Sequence, residues 1–156
     1  MANEIIISKD TRPYKSLITD IGNAKMTLAV LEGRKVNIIE MRLGDGGGAY
    51  YMPTSEATSL VNEVWVGEIA SKSINEASPN IIAVKTVIPS SVGGFTVREA
   101  ALFDDEGDMI AVCNMPDIGK ATLPEGISSS IDIVMNILLT NVDAVNFVIN
   151  PTLDPA

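Results

Sequence analysis

The sequence contains no histidine. That absence removes the commonest general base, the commonest metal ligand and every Ser-His or Cys-His nucleophile arrangement, so most hydrolase mechanisms are excluded. The single cysteine, Cys113, has no second thiol to pair with. It stands in the apolar run Ile110-Ala111-Val112-Cys113 and reads as a small core residue. Aromatic residues make up 4% of the chain, too few for a stacking platform for sugars or bases. No apolar run approaches the roughly 18 residues that would span a bilayer, and Met1-Ala2-Asn3-Glu4 carries no basic leader region, so a cytosolic origin is expected. Positive charge is also scarce. With 11 Lys and Arg against 20 Asp and Glu, the net charge of -9 repels phosphate backbones and anionic lipid surfaces, which argues against nucleic-acid partners and membrane insertion.

What is present is a globular balance. The 156 residues are 46% hydrophobic and 20% charged, enough for one compact domain with a real core. There is no internal repeat, heptad array or low-complexity tract. Residues 1–13, with Ile5-Ile6-Ile7 and a closing Pro13, read as an N-terminal arm. Residues 14–151 form the domain, and 152–156 are either a short C-terminal tail or the start of a further region. Thr19 or Asp20 can cap a helix from about Asp20 to Glu32, whose apolar positions Ile21, Ala24, Leu28 and Leu31 fall at spacings of three and four and which Gly33 stops. Gly22 inside it costs about 1 kcal/mol relative to alanine, so the apolar face must dock on something. Tyr14 to Ile18 fits either a short strand or an extra helical turn.

From Val36 the period changes to two, and Val36–Leu43, Val64–Ser73 and Ile81–Ile88 read as strands. Ile127–Leu139 alternates most clearly, one side apolar and the other wet. Asn141-Val142-Asp143 followed by Val145, Phe147 and Ile149 suits a terminal hairpin. The stretch Gly93 to Asn114 reads as another. Phe95, Val97, Ala101 and Phe103 line one face of its first strand, Asp105 to Asp108 turn the chain, and Met109 to Asn114 return. The fold class is α+β, a predominantly antiparallel sheet or sandwich with one N-terminal helix.

Several residues invite a chemical reading. Gly44-Asp45-Gly46-Gly47-Gly48 could cradle a phosphate on bare amides, but no Gly-Lys-Ser/Thr follows and no helix opens after it, so a tight loop is the better reading. Asp104-Asp105-Glu106-Gly107-Asp108 lacks the ligand spacing of a calcium loop and reads as a turn whose acids are solvated. Arg98 and Glu99 interrupt an apolar strand, and a charge pointing into crowded surroundings needs a partner within the fold or across an interface. Trp65 suits core or interface packing. The glycine-containing loops Gly44 to Pro53 and Pro116 to Gly126 are candidate contact surfaces. No catalytic, cofactor or metal residue emerges. The structural candidates are Gly44, Asp45, Gly46, Gly47, Gly48, Trp65, Gly93, Gly94, Phe95, Arg98 and Glu99.

One longer pattern joins these pieces. Ile88-Pro89, Val92-Gly93-Gly94-Phe95, Val97-Arg98-Glu99, Ala101-Leu102-Phe103-Asp104, Gly107-Asp108 and Ile110-Ala111-Val112 with Asn114 resemble, in order and spacing, the N-terminal domain of phage tail-collar fibre proteins of P2-like contractile-tailed phages and prophages. Thr19, Gly22, Gly44 to Gly48, Leu60 to Trp65, Glu125-Gly126 and Ile149-Asn150-Pro151 agree, so the resemblance runs from about Tyr14 to Pro151. It implies a structural, non-enzymatic domain without cofactors that fixes a host-recognition fibre to baseplate proteins of a contractile tail and joins a fibre shaft or other fibre chains as a homotrimer. It also implies assembly in the bacterial cytoplasm and residence in the virion or a tail-like particle. The alternative is a carbohydrate- or receptor-binding module that touches the host directly. Relatives continue where this sequence stops at Ala156, which fits a fragment, a short adaptor or a prophage remnant.

Overall fold

The structure is a computed structural model and describes residues 11–121 and 130–153. Strand β1 (Ser16–Ile18) leads into helix α1 (Asp20–Glu32), followed by β2 (Val36–Gly44), β3 (Glu63–Glu68), β4 (Ser71–Asn75), β5 (Ser78–Ile88), β6 (Phe95–Asp104), β7 (Met109–Lys120), β8 (Ile131–Leu138) and β9 (Val145–Phe147). A six-stranded sheet runs β1-β7-β6-β2-β3, with β9 added to β2, and a three-stranded sheet runs β4-β5-β8. Among the described residues the strands pair antiparallel except β2 with β9, and an isolated bridge between Ile69 and Ile149 is also parallel. The expected α+β class, dominated by antiparallel sheet, holds. Among the described residues no helix is long and apolar enough to cross a membrane.

Alternation of side chains puts the core between the sheets. Met41, Leu43, Ala100, Leu102, Ala111 and Cys113 of the larger sheet pack with Val84, Ile88, Ile133, Met135 and Ile137 of the smaller one. The opposite face of the larger sheet carries a second cluster, Leu60, Ala101, Phe103, Met109 and Val112, with Leu17 and Ala57 against it. Strand β6 is therefore buried on both faces. That is why its residues from Glu99 to Asp104 are apolar or, where polar, hydrogen-bonded.

The helix begins and ends where its caps dictate. The Thr19 hydroxyl accepts from Gly22 N at 2.9 Å, and Gly33, at φ 70, returns the chain toward the carbonyls of Ala29 and Val30. Its docked face is not the expected one. Gly22 and Ala29 are buried, whereas Ala24, Leu28 and Leu31 are exposed. Close approach explains the inversion. A Cβ at residue 22 would overlap the Ile110 carbonyl, so the helix lies against β7 through its smallest residues.

Other expectations need correction. The segment Val64–Ser73 is two strands, because the chain leaves the larger sheet after Glu68 and passes through buried Ile69 and Ala70 into the smaller one. The return strand of the hairpin does not stop at Asn114. It runs to Lys120, and Pro116 lies within it, in an interval between the Val97↔Ile118 and Glu99↔Asn114 pairs where the ladder slips and a missing N–H does no harm. The rest of the expected Pro116–Gly126 loop falls largely outside the described residues. The same irregularity flips the side-chain parity of β6. Val97 faces the main core with Ala100 and Leu102, while Ala101 and Phe103 face the second cluster, so the four residues from Phe95 to Phe103 do not share a face. Of the strand expected over Ile127–Leu139, residues 127–129 lie outside the described residues. The rest alternates as expected, although Val134 and Leu138 appear on its outer face. The C-terminal segment is not a hairpin. The Asn141 side chain caps a 3-10 turn over Val142–Ala144 that redirects the chain, and β9 then lies parallel to β2. Of the segment Tyr14–Ile18, Ser16–Ile18 is strand and lies on the edge of β7.

Candidate functional site: a buried glutamate that pins the glycine-rich loop

Glu99 sits in the middle of β6 with no exposed surface. Strand β2 on one side of it ends at Gly44, directly opposite in register. A side chain at residue 44 would overlap the Glu99 carboxyl, so glycine is required there for the carboxyl to reach past the strand end. Beyond β2 the Glu99 oxygens collect four donors. Oε1 accepts from the Tyr51 hydroxyl at 2.5 Å and from Val61 N at 2.9 Å. Oε2 accepts from Gly46 N at 3.0 Å and Asn62 N at 2.9 Å. One side chain thus ties together the glycine-rich loop, the tyrosine that follows it and the entry to β3. The partner that Glu99 requires is a set of backbone amides and a phenol within the fold.

The loop itself is closed by Asp45. Its Oδ1 accepts from Gly47 N at 2.9 Å and Asn62 Nδ2 at 3.0 Å, and Asp45 N donates to Asn62 O at 3.0 Å. The donated bond from Asn62, with that from Gly47, holds the Asp45 carboxyl below its ordinary pKa. Gly46, Gly47 and Gly48 all take positive φ, at 68, 75 and 94 degrees, a run that only glycine adopts without strain. The loop amides do meet an anionic group, but it is the chain's own. Gly46 N is directed to Glu99 and Gly47 N to Asp45, which leaves neither free for a phosphate. The loop's outer side, from Gly47 to Ala49, is exposed.

Arg98 reaches the same loop beside Glu99. Its guanidinium donates to the Asp45 carbonyl at 3.1 Å and pairs with Asp117 at 3.3 Å, so it braces the loop from the β7 side. Gly44 to Gly48, Arg98 and Glu99 therefore form one cluster. Trp65 is a neighbour in register, opposite Leu43, but its ring folds over Gly67 and packs on the main core. Gly93, Gly94 and Phe95 are not brought to the cluster. They open β6, where Gly94 N donates to Lys120 O at 2.6 Å and the Lys120 ammonium reaches Val92 O.

Several participants had no sequence signal. The three tyrosines converge. Tyr14 and Tyr50 meet edge to face with centroids 5.9 Å apart, Arg12 lies 4.7 Å over the Tyr50 ring, and Tyr51 is held by Glu99. Burial and the bond to Glu99 push the Tyr51 hydroxyl well above its ordinary pKa, so it acts as a donor throughout the accessible pH range. Asn114, paired to Glu99 across β6 and β7, clips two segments at once. It accepts from Lys15 N at 2.8 Å and donates to Tyr51 O at 2.8 Å.

The acidic turn also differs from the expected picture of solvated acids. Asp104 is buried. Its Oδ1 accepts from Glu106 N and Asp108 N, and its Oδ2 lies 2.5 Å from the Lys25 ammonium of α1. Glu106 and Asp108 converge on the same ammonium at 2.5 and 2.7 Å. The three carboxylate oxygens lie close enough together to share a cation, and Lys25 supplies it. Burial works against the charged lysine, but the three bonds outweigh it and raise its pKa.

A family model described as phage tail-collar fibre protein, N-terminal, matches residues 11–155. A probable tail fiber protein of Escherichia phage P2 is 39% identical over 140 residues, which cover 89% of this chain and 21% of that protein. The chain thus spans about a fifth of the length of the curated relative it matches. No solved structure matches.

Proposed function

The chain belongs to the phage tail-collar fibre protein family through its N-terminal domain, and from that premise we propose that it anchors a host-recognition fibre to baseplate proteins of a contractile tail. The observation that carries this reading is the Glu99 cluster. A buried carboxyl, an aspartate-closed turn and an arginine brace hold an exposed glycine loop in one conformation, and a surface loop ordered from within loses little entropy when a partner binds it. The contact surface on this reading is Gly46 to Ala49 with exposed Val61 beside it. The chain then resides in the tail of the particle after assembly in the host cytoplasm.

The test is retention of the purified chain by baseplate proteins of a P2-like phage. The chain is expected to be retained, and replacing both Arg98 and Glu99 by alanine is expected to lower fold stability or that retention. Retention by no baseplate component refutes anchoring. A second reading, direct contact with a host carbohydrate or receptor, draws on the convergence of Arg12, Tyr14 and Tyr50. It requires hits on a glycan array, and a blank array removes it.

A further inference from the structure

Asp45-Gly46 is the one Asp-Gly pair in the chain, and there is no Asn-Gly. Such a pair carries a reaction within itself, because no side chain on the glycine obstructs approach of its nitrogen to the aspartyl carboxyl. The Gly46 amide loses its proton and attacks Asp45 Cγ. A C–N bond forms, the Cγ–OH bond breaks, and the hydroxyl leaves with a proton as water, closing a five-membered succinimide. Water then opens the ring. Addition at Cγ restores aspartate, whereas addition at the main-chain carbonyl carbon leaves isoaspartate, with the chain running through Cβ and Cγ.

The closed loop blocks each of these movements. Gly46 N donates to Glu99 Oε2 at 3.0 Å, so removing its proton would set an amide anion against a buried carboxylate. Glu99 is no base for that proton, since the Tyr51 hydroxyl, Val61 N and Asn62 N already occupy its oxygens. The Asp45 carboxyl is engaged elsewhere. Its Oδ1 accepts from Gly47 N at 2.9 Å and Asn62 Nδ2 at 3.0 Å, and both bonds must break before Cγ can turn to Gly46 N. The peptide between them is fixed as well, for the Asp45 carbonyl accepts from Gly48 N and from the Arg98 guanidinium, both at 3.1 Å. The bonds from Asn62 and Gly47 also lower the pKa of the carboxyl, and an ionised carboxyl has no hydroxyl to lose.

We propose that Asp45-Gly46 is a latent isomerisation site, and that Glu99, Asn62 and Arg98 hold it unreacted by keeping the loop closed. The rate of isoaspartate formation then follows the fraction of time that the loop is open. An isoaspartate does not fit the closed loop. The carbonyl that Arg98 held becomes a free carboxylate and the backbone gains a methylene, so Gly46 N no longer meets Glu99 in register. Isomerisation therefore sets a chemical lifetime for the exposed surface from Gly47 to Ala49. The reaction requires no partner, so it and baseplate anchoring can fail separately.

The test is storage of the folded chain at neutral pH and body temperature for weeks, with isoaspartate at residue 45 counted by isoaspartyl methyltransferase labelling and peptide mapping. The folded parent is expected to react at least about a hundredfold more slowly than the same chain unfolded in guanidinium. Asn62→Ala removes an exposed side chain and one bond to the Asp45 carboxyl, and leaves the backbone bonds of residue 62 in place. It is expected to speed isomerisation about tenfold, the scale on which one hydrogen bond to a charged group shifts an opening equilibrium. Glu99→Ala is expected to speed it further. Gly22→Ala is the control, because it weakens the fold where α1 meets Ile110 and not at the loop, and its rate is expected to match the parent's while circular dichroism shows it folded. No isoaspartate at residue 45 in the unfolded chain, a folded parent that reacts as fast, an Asn62→Ala variant no faster than the parent, or equal acceleration by Gly22→Ala would each overturn the proposal.

Discussion

Replacing Glu99 by glutamine keeps shape and volume and changes only what the two terminal atoms can accept. With the amide oxygen at the Oε2 position, the bonds from Gly46 N and Asn62 N survive. The amide nitrogen then occupies the Oε1 position, where it faces the Tyr51 hydroxyl and Val61 N. A hydroxyl can rotate to accept, but a backbone N–H cannot, so one buried donor is left against another. An unsatisfied buried group costs about 1–3 kcal/mol. For a domain of this size each kcal/mol moves the melting temperature by about 2–4 °C, so Glu99→Gln is expected to melt a few degrees lower. Urea unfolding supplies the free energy, and an unchanged m-value will show that the denatured state is not the source. Combined with Tyr51→Phe, the two losses are expected to be non-additive, because both act on the same bond. If Glu99→Gln unfolds within about 0.5 kcal/mol of the parent, the scale of an inert surface change, Glu99 does not hold the loop amides and the reasoning fails.

Lys25→Met removes the cation that bonds all three carboxylates and leaves buried Asp104 without its ion-pair partner, an expected loss of about 3–5 kcal/mol by denaturant unfolding. The folded pKa of Lys25 is raised, so its contribution is complete below its ordinary value of 10.5 and is lost as pH rises through the folded value. Melts from pH 9 upward are expected to show this alkaline decline in the parent and its absence in the variant. Gly22→Ala should improve helix propensity by about 1 kcal/mol, yet the Ile110 carbonyl blocks the new methyl group. A net loss of about 1–3 kcal/mol is expected on thermal unfolding, and a stabilised variant would contradict the close approach of α1 and β7. Cys113 is buried and its thiol is pushed up to about 12, first by burial. It should stay unmodified by Ellman's reagent at pH 8 and react promptly once the chain is unfolded in guanidinium.

The limits of α1 were legible because caps are local chemistry. Thr19 and Gly33 act on residues within one turn of themselves, and the chain between them has no choice of ends. The docked face was not legible for a physical reason. A spacing of three and four describes both the Ile21-Ala24-Leu28-Leu31 stripe and the Gly22-Lys25-Met26-Ala29 stripe, and hydrophobicity favours the wrong one. Only the proximity of the Ile110 carbonyl shows that small residues were needed on the docked side. Strand β8 alternates without interruption and could be read directly from its period. Strand β6 could not, because the slip between Val97 and Glu99 changes which face each later residue takes, and nothing in the residues themselves marks the slip. The same limit hid the surroundings of Glu99. Its charge in an apolar strand was visible, as was its need for a partner. The partners are the amides of residues 46, 61 and 62, and a backbone amide has no sequence signature.

Why a buried carboxyl should hold an exposed loop follows from what an apolar residue could not do. Leucine at position 99 would fill the space, but it offers nothing to Gly46 N, Val61 N and Asn62 N, which would then need water at a site the sheet has closed. Three consecutive glycines also have the largest backbone freedom to lose on ordering. A loop of that composition keeps one conformation only if donors along its length are fixed to something rigid. Strand β6, held by β2 on one side and β7 on the other, is the rigid element within reach. The desolvation of Glu99 is thus offset by bonds that no neutral side chain of that size could accept in equal number. The consequence is a loop whose outer surface is set by the sheet beneath it, so changes within the β6–β7 ribbon will alter the loop even where they touch none of its atoms.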